Sequence, residues 1–173
     1  MTTNDSEYQK RLRLFQEHMD AAERSATMLA TFHAKVLTRY PLHEADVHTL
    51  DADHLMPIYA LFKKYEQLIV LMNDNILKNI PYFDLENTGK MSRFDTIIYA
   101  EKAGILRSAQ RFVDAVALRN QLTHEYPLDE SKQTQLINAV IVEADVLLQA
   151  FGQLKAYVQS RLPTWLQVRA GAE

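Results

Sequence analysis

The segment LRNQLTHEYPLD carries the side chains of this chain that are best suited to chemistry. It holds, within eight positions and just before a proline, Arg119, Asn120, His124 and Tyr126. An arginine fork stabilises negative charge on phosphoryl oxygens at two points, and a histidine, whose ordinary pKa is about 6.5, moves protons near neutral pH. Such a group can cleave RNA without a metal ion, by attack of the 2′-hydroxyl on the adjacent phosphorus.

These side chains start from different directions around a helix. Arg119 and Tyr126 are seven residues apart and share nearly the same face, whereas His124 lies about 140° around the axis from Arg119. We therefore expect the helix to loosen before Pro127 so that the three side chains converge. One histidine serves poorly as both acid and base, so we also expect a symmetric dimer that brings two Arg/His pairs to one cleft.

The elements that must position this segment are predicted from apolar residues at steps of three and four. The first such stripe, over about residues 6–40, comprises Leu12, Phe15, Met19, Ala22, Ala26, Leu29 and Val36. A second helix is expected from about Asp53, with Pro57 in its first turn, where no backbone donor is missed. Residues 79–91 contain a proline and a glycine, which indicates a connecting loop.

Two further helices complete the predicted architecture. Ser92 and Asp95 resemble a capping pair that opens a third helix, and Gly104 either breaks it or is tolerated within it. The helix is then expected to continue to about His124, and a last long helix follows and ends at Pro163. Because no strand-like alternation competes, the sequence predicts an all-α, up-down bundle of four or five helices, two of them long.

Composition limits the class of protein. The 173 residues suit a single domain, with an ordered core at about 5–162 and a C-terminal tail at 163–173. The absence of cysteine excludes disulfides, thiolate catalysis and cysteine-based zinc sites. A polar N-terminus and the lack of a run of about eighteen apolar residues predict a cytoplasmic protein without membrane segments. The formal net charge of −3 disfavours tight nucleic-acid binding but allows a site that touches one or two phosphates.

The run Arg119-Asn120-x-x-x-His124-x-Tyr126 resembles the R-x4-6-H signature of the HEPN superfamily, and the tyrosine makes it similar to the HepT branch of toxins. The resemblance covers the motif and the helical architecture over roughly residues 5–160. It implies a homodimeric helical ribonuclease that uses Arg119 and His124 as catalytic residues and needs no cofactor. It also implies a minimal nucleotidyltransferase (MNT) antitoxin, encoded beside the toxin, that adenylylates Tyr126.

Basic residues precede the motif on what we expect to be one helical stretch. Lys102, Arg107 and Arg111 make this stretch locally positive in an acidic protein. They form either an ordinary solvated face or a phosphate-contacting strip that leads RNA towards Arg119. We favour the strip. Asn120 either orients the phosphate, holds His124 or caps the loosening turn.

Other histidines are weaker candidates. His33 interrupts the apolar stripe of the first helix, which predicts a hydrogen-bonded core or interface residue, or a further proton carrier if it faces the dimer cleft. The polar stretch at 42–55 contains His43, His48 and His54, spaced five and six apart. Histidine pairs on a helix bind zinc at spacings of three or four, so we expect a solvated acidic connector and no metal.

Three functions remain open from the residues and the resemblance. The first is an endoribonuclease toxin, working as a dimer on RNA. The second is a catalytically inactive HEPN module that binds a nucleotidyltransferase partner or a nucleotide, a hypothesis that the acidic charge favours. The third is a purely structural bundle, in which Arg119 and His124 would be dispensable.

Overall fold

The computed structural model describes residues 3–47, 49–86, 88–124 and 130–167, and within these ranges the chain is all-α, without any strand. The α-helices are α1 (Thr3–Leu37), α2 (Glu44–Val47), α3 (Ala52–Val70), α4 (Ile80–Phe83), α5 (Arg93–Lys102), α6 (Ala109–His124) and α7 (Glu130–Gln167). The predicted helical bundle is confirmed, and its two long helices are α1 and α7, of 35 and 38 residues.

The predicted apolar stripe of α1 faces the core of the bundle. Its buried members are Leu12, Phe15, Ala22, Ala26, Leu29 and Val36. They pack in one cluster with the buried faces of α3 and α7. Helical periodicity alone was sufficient to predict this buried face, because the buried residues of the stripe contact neighbouring helices rather than water.

Polar contacts fix the direction of the helices. Tyr8 Oη donates to the carbonyl oxygen of Trp165 (2.9 Å), and His33 Nε2 lies 2.8 Å from the carbonyl oxygen of Ile141. Residue number rises along α1 while it falls along α7, so these two helices are antiparallel. Ser25 Oγ donates to the carbonyl oxygen of Lys64 on α3 (3.4 Å), and Arg11 Nε donates to Oδ1 of Asn79, just beyond α3 (2.9 Å), so α1 and α3 are also antiparallel.

One end of the bundle therefore gathers the C-terminal ends of α1 and α6 and the N-terminal ends of α3 and α7; we call it the motif end. Arg111 near the start of α6 contacts Glu143 of α7 (2.9 Å), and α6 ends six residues before α7 begins. Helix α6 thus runs towards the motif end. Arg119 lies in its last turns, and the opposite end of the bundle holds the start of α1 and the end of α7.

Helix α3 begins at Ala52, slightly earlier than predicted. The carboxylate of Asp51 caps it by accepting from the backbone N–H of His54 (3.1 Å). Pro57 is consequently the sixth residue of the helix. The prediction that it lies in the first turn was wrong. The carbonyl of Asp53 loses its helical donor there, and since Asp53 is exposed, water can replace that donor.

The loop predicted at 79–91 is largely helical. Helix α3 continues into a π-helical turn (Leu71–Ile76) and a 3-10 turn (Leu77–Asn79), and then into α4. Pro81 lies at the start of α4, where its missing N–H costs nothing. The prediction was wrong because Ile80 and Phe83 are buried in the core, and this burial outweighs the loop-like composition of the segment.

The third predicted helix is two helices. Ser92 and Asp95 form the expected capping box at the start of α5. Helix α5 ends at Lys102, and Gly104 follows with a φ of +73°, a left-handed conformation that turns the chain. Helix α6 starts only at Ala109, so the expected continuation of one helix through 105–108 is wrong.

Replacement of Gly104 by alanine should destabilise the protein by about 1 kcal/mol, because L-residues disfavour a positive φ. A Cβ at this position meets no atom within 4 Å, so the cost comes from the backbone alone. Gly152→Ala, in the middle of α7 and also in open space, is the matched control and should stabilise by up to about 1 kcal/mol. Urea unfolding measures the change in the free energy of unfolding for both variants. Changes of the same sign would contradict the left-handed conformation of Gly104.

Helix α7 does not end at Pro163. It continues to Gln167, and Trp165, in the region expected to be a tail, is 1% exposed. By length and composition the stretch Ser131–Gln167 could cross a membrane, and 33% of its most apolar window is buried inside the protein. Core helices of soluble proteins meet the same criterion, so this property alone assigns no location to the chain.

Candidate functional site

Two side chains that precede helix α6 hold its first turn in place. Ser108 caps the helix, its hydroxyl accepting from the backbone N–H of Arg111 (3.2 Å). Glu101 from α5 accepts from the backbone N–H of Ala109 (2.9 Å). Two of the N–H groups that a helix leaves without an internal partner are thereby satisfied. These contacts and the buried face of α6 fix the direction of the helix axis, and so the position of the motif near its end.

Tyr65 of α3 contacts α6 near the midpoint of α6. Its hydroxyl donates to the carbonyl oxygen of Ala115 (3.2 Å), and the side chain is fully buried. Burial raises the pKa of Tyr65 far above its ordinary value, and the negative charge of Glu143 adds to this. The hydroxyl therefore remains a donor at any physiological pH. Arg119 lies one turn beyond this anchor.

Arg119 and Asn120 form a local pair. Arg119 Nη1 donates to Asn120 Oδ1 (2.9 Å), with the guanidinium half-buried and the amide exposed. The flanking Leu118 and Leu122 pack against the core, which fixes the rotation of this turn. This contact gives Asn120 a role that we did not predict, which is to orient the Arg119 fork. A planar guanidinium held in this way is suited to binding a phosphoryl group.

The described part of α6 shows no loosening, and the expected loosening next to Pro127 falls on residues 125–126, which lie outside the described residues. Helix α6 is regular through His124, so the backbone positions of Arg119 and His124 remain about 140° apart around the axis and roughly 7.5 Å apart along it. The side chain of His124 and all of Tyr126 lie outside the described residues. Within one chain, the described structure brings Arg119 together with Asn120 and keeps the backbone of His124 on another face.

The predicted basic strip is divided between three elements. Lys102 ends α5, Arg107 lies in the connector, and Arg111 lies in the first turn of α6. Arg107 and Arg111 line the same cleft between α6 and α7, of about 210 Å³, and Lys102 does not. Arg111 is also paired with Glu143 (2.9 Å), which neutralises part of its charge. The expectation of one continuous helical strip is therefore wrong.

Two of the other candidate histidines, His33 and His54, have structural contacts, and His48 lies outside the described residues. His33 Nε2 donates to the carbonyl oxygen of Ile141, as expected for a core histidine, and this contact fixes a proton on Nε2. His54 Nδ1 contacts the carboxylate of Asp51. No three His, Asp or Glu residues in the described parts of the chain are arranged to hold a metal ion.

No protein-family model matches the chain, and no curated protein matches it. The likeness to the HEPN superfamily therefore rests on the residues of the motif and on the helical architecture. The motif begins in the last turns of α6, and α7, the longest of the described helices, follows it.

A second polar cluster, which sequence reasoning missed, surrounds Asp84 at the opposite end of the bundle. The side chain is 4% exposed. Its Oδ2 accepts from the hydroxyls of Tyr99 (2.8 Å) and Tyr157 (2.6 Å). Its Oδ1 accepts from Arg161 Nε and Nη2 (3.1 and 3.0 Å) and from Trp165 Nε1 (3.0 Å). One buried carboxylate thus joins α5, the turn after α4 and the end of α7.

The ionisation of this cluster follows from its geometry. Burial raises the pKa of Asp84, but the hydrogen bonds from Tyr157, Trp165, Tyr99 and Arg161 together outweigh burial and leave it below its ordinary value. Burial and the Asp84 carboxylate raise the pKa of Tyr157 to about 12. Both carboxylate oxygens of Asp84 are fully occupied by donors, which is the pattern of a structural anchor rather than of a reactive site. A sequence signal was present, because the three donors on α7 are spaced by four residues.

Proposed function

We propose that this protein is a metal-independent endoribonuclease toxin of the HEPN/MNT type that acts as a homodimer. The observation that carries the proposal is the half-buried Arg119, whose guanidinium is oriented by Asn120. Arg119 lies five residues before His124, the last residue of α6. These are the residue types and the spacing of the R-x4-H-x-Y motif. Their place in an all-α bundle agrees with the architecture that the resemblance implies.

The proposed reaction is a transesterification. A base removes the proton of the ribose 2′-hydroxyl, and the 2′-oxygen attacks the adjacent phosphorus. The bond from phosphorus to the 5′-oxygen breaks, and an acid protonates that oxygen. The products are a 2′,3′-cyclic phosphate and a 5′-hydroxyl, and cleavage continues in EDTA. Arg119 stabilises the charge that develops on the phosphoryl oxygens, and His124 carries protons.

The proposed dimer places the Arg119/His124 site at the two-fold interface. In one regular helix the two residues start about 140° apart, so a phosphate held by Arg119 is approached more directly by a histidine from a facing copy. A two-fold axis beside α6 supplies two arginines and two histidines to one cleft. One histidine then acts as base and the other as acid.

Tyr126 completes the proposed system. It positions RNA in the free toxin and accepts a nucleotide from an MNT-type nucleotidyltransferase antitoxin, which blocks the cleft with bulk and negative charge. Because the proposed RNA substrate is cytoplasmic, we place the protein in the cytoplasm. Arg107, in the connector before α6, and Arg111, in the first turn of α6, extend the phosphate-contacting surface, whereas Lys102 lies at the end of α5.

The second candidate is an inactive HEPN module that binds a nucleotidyltransferase or a nucleotide. Two observations favour it: the formal net charge is −3, and Glu143 neutralises Arg111 beside the expected RNA path. This candidate predicts a stable complex with the partner, without RNA loss. The neighbouring reading frame does not separate the two candidates, because both imply a nucleotidyltransferase there.

Growth after induced expression tests the proposal most directly. Wild-type protein should arrest growth, and His124→Ala at the same soluble level should not, because the proton carrier is lost. Equal growth of both strains would remove the toxin assignment and support the binding module. Purified His124→Ala with the helical content and melting temperature of the wild type is the control for folding.

A further inference from the structure

A polar cleft of about 230 Å³ lies at the end of the bundle opposite the motif end. It is lined by Arg11, Lys78, Thr88, Met91, Ser92, Arg93 and Thr96. Three of these seven side chains are cationic and three carry hydroxyls, in a protein of net negative charge. The cleft is formed by α1, the turns that follow α3 and the start of α5. Nothing in the proposed ribonuclease mechanism uses these residues.

Arg11 is held in place before any ligand arrives. Its Nε donates to Oδ1 of the buried Asn79 (2.9 Å), and its guanidinium lies 4.0 Å from the centre of the Tyr82 ring. Asn79 is itself fixed, because its amide donates to the carbonyl oxygen of Asn75 (2.6 Å). These contacts occupy Nε and one face of the guanidinium, and leave Nη1 and Nη2 as the donors of Arg11 towards the cleft. Pre-organisation of this kind lowers the entropic cost of binding an anion.

The balance of charge in the cleft favours an anion. Arg93 lies 3.3 Å from Asp74, so that pair is close to neutral. Asp95 is not among the lining residues, and its carboxylate accepts from the backbone N–H and hydroxyl of Ser92 (2.8 and 2.7 Å). Arg11 and the exposed Lys78 therefore supply an excess of two positive charges among the lining side chains. The hydroxyls of Ser92 and Thr96 already donate to Asp95 and to the carbonyl oxygen of Arg93. Two cations beside the hydroxyl of Thr88 match the oxygens of a phosphate group.

We propose that this cleft binds the terminal phosphate of a small molecule, with Arg11 as the primary contact and Lys78 as the second. The site is separate from Arg119. Ser25 is level with Lys64 on α3, and Tyr65 is level with Ala115 on α6, so Arg11 and Arg119 lie roughly 25 Å apart along the bundle axis. The cleft therefore acts independently of RNA cleavage, and the proposal stands or falls separately from the ribonuclease assignment.

An NMR titration at constant ionic strength tests the site, using inorganic phosphate, AMP and adenosine as probes. Phosphate and AMP should shift the Arg11 Nε–Hε signal and the amides of Ser92 and Thr96 saturably, and adenosine should not. Arg11→Gln should weaken phosphate binding about tenfold, because a charge-assisted fork is lost. Lys78→Gln, at an exposed side chain whose loss leaves the fold intact, should weaken it about threefold.

Arg13→Gln is the matched control, because Arg13 is an exposed arginine on the same helix that does not line the cleft. It should leave phosphate binding unchanged. Tighter binding of AMP than of inorganic phosphate would identify a phosphate ester as the ligand, and equal binding would identify free phosphate. The proposal is overturned if no probe saturates, if adenosine binds as well as AMP, or if Lys78→Gln and Arg13→Gln behave alike.

Discussion

Arg119→Ala should slow RNA cleavage by about 10²- to 10³-fold, the usual loss when one donor to a developing oxyanion is removed. Arg119→Lys keeps the positive charge but lacks the planar fork, so its rate should lie between those of the wild type and Arg119→Ala. The measurement is the initial rate of cleavage of total RNA from the expression host by purified protein in EDTA. Analysis of the products for 2′,3′-cyclic phosphate ends confirms the reaction class.

Two further variants separate catalysis from folding. Arg24→Ala removes an exposed arginine from α1 and should leave the rate unchanged. Asn120→Ala leaves Arg119 in place but removes the acceptor that orients it, and should cost at most about tenfold. Wild-type rates for a well-folded Arg119→Ala would refute the assignment of this residue. A rate that depends on Asn120 more than on Arg119 would refute the orienting role.

Asp84→Asn should lower the free energy of unfolding by about 3 kcal/mol at pH 7, a decrease in melting temperature on the order of 10 °C. The carboxylate accepts five hydrogen bonds while almost fully buried. An asparagine keeps only one acceptor oxygen and turns N–H donors towards groups that are themselves donors. Arg161 also loses the only negative charge that the described contacts give it. Urea unfolding followed by circular dichroism measures the change.

The pH dependence gives this prediction a sign. The pKa of Asp84 is depressed in the folded state, so its stabilising contribution is complete above the ordinary carboxyl pKa of about 4 and disappears as the pH falls through the depressed value. The difference between wild type and Asp84→Asn should therefore be largest at neutral pH and shrink below about pH 4. Glu86→Gln, at an exposed residue two positions later, is the matched control. A constant difference from pH 7 to pH 3 would contradict the network.

The Asp84 network explains why the chain departs from two local rules. Leu85, next to Asp84, has a φ of +64°, a conformation that costs a residue with a Cβ about 1 kcal/mol. Pro163 lies inside α7 although it removes one helical hydrogen bond. Beyond Pro163, Trp165 is buried and donates a hydrogen bond to Asp84. The free energy of these tertiary contacts exceeds the cost of the positive φ and of the lost helical hydrogen bond.

The sequence by itself determined the fold class and most of the core. The apolar stripe of α1 and the Ser92–Asp95 capping box were both readable, because they depend on residues within one or two turns of each other. The motif was readable for the same reason, since Arg119, Asn120 and His124 lie on one helix. Its role as a ribonuclease site stays a prediction from residue types and spacing.

Only the tertiary structure decided the features that join distant parts of the chain. Asp84 meets Tyr157 and Trp165 from more than seventy positions away, and Arg11 meets Asn79 from 68 positions away. The donors on α7 are spaced by four residues, but nothing in the sequence connects them to Asp84, and nothing connects Arg11 to Asn79. The helical turn at 80–83 and the end of α7 were missed for the same physical reason: local propensity is worth about 1 kcal/mol or less per residue, or about 3 for proline, and burial of large side chains against the core exceeds it.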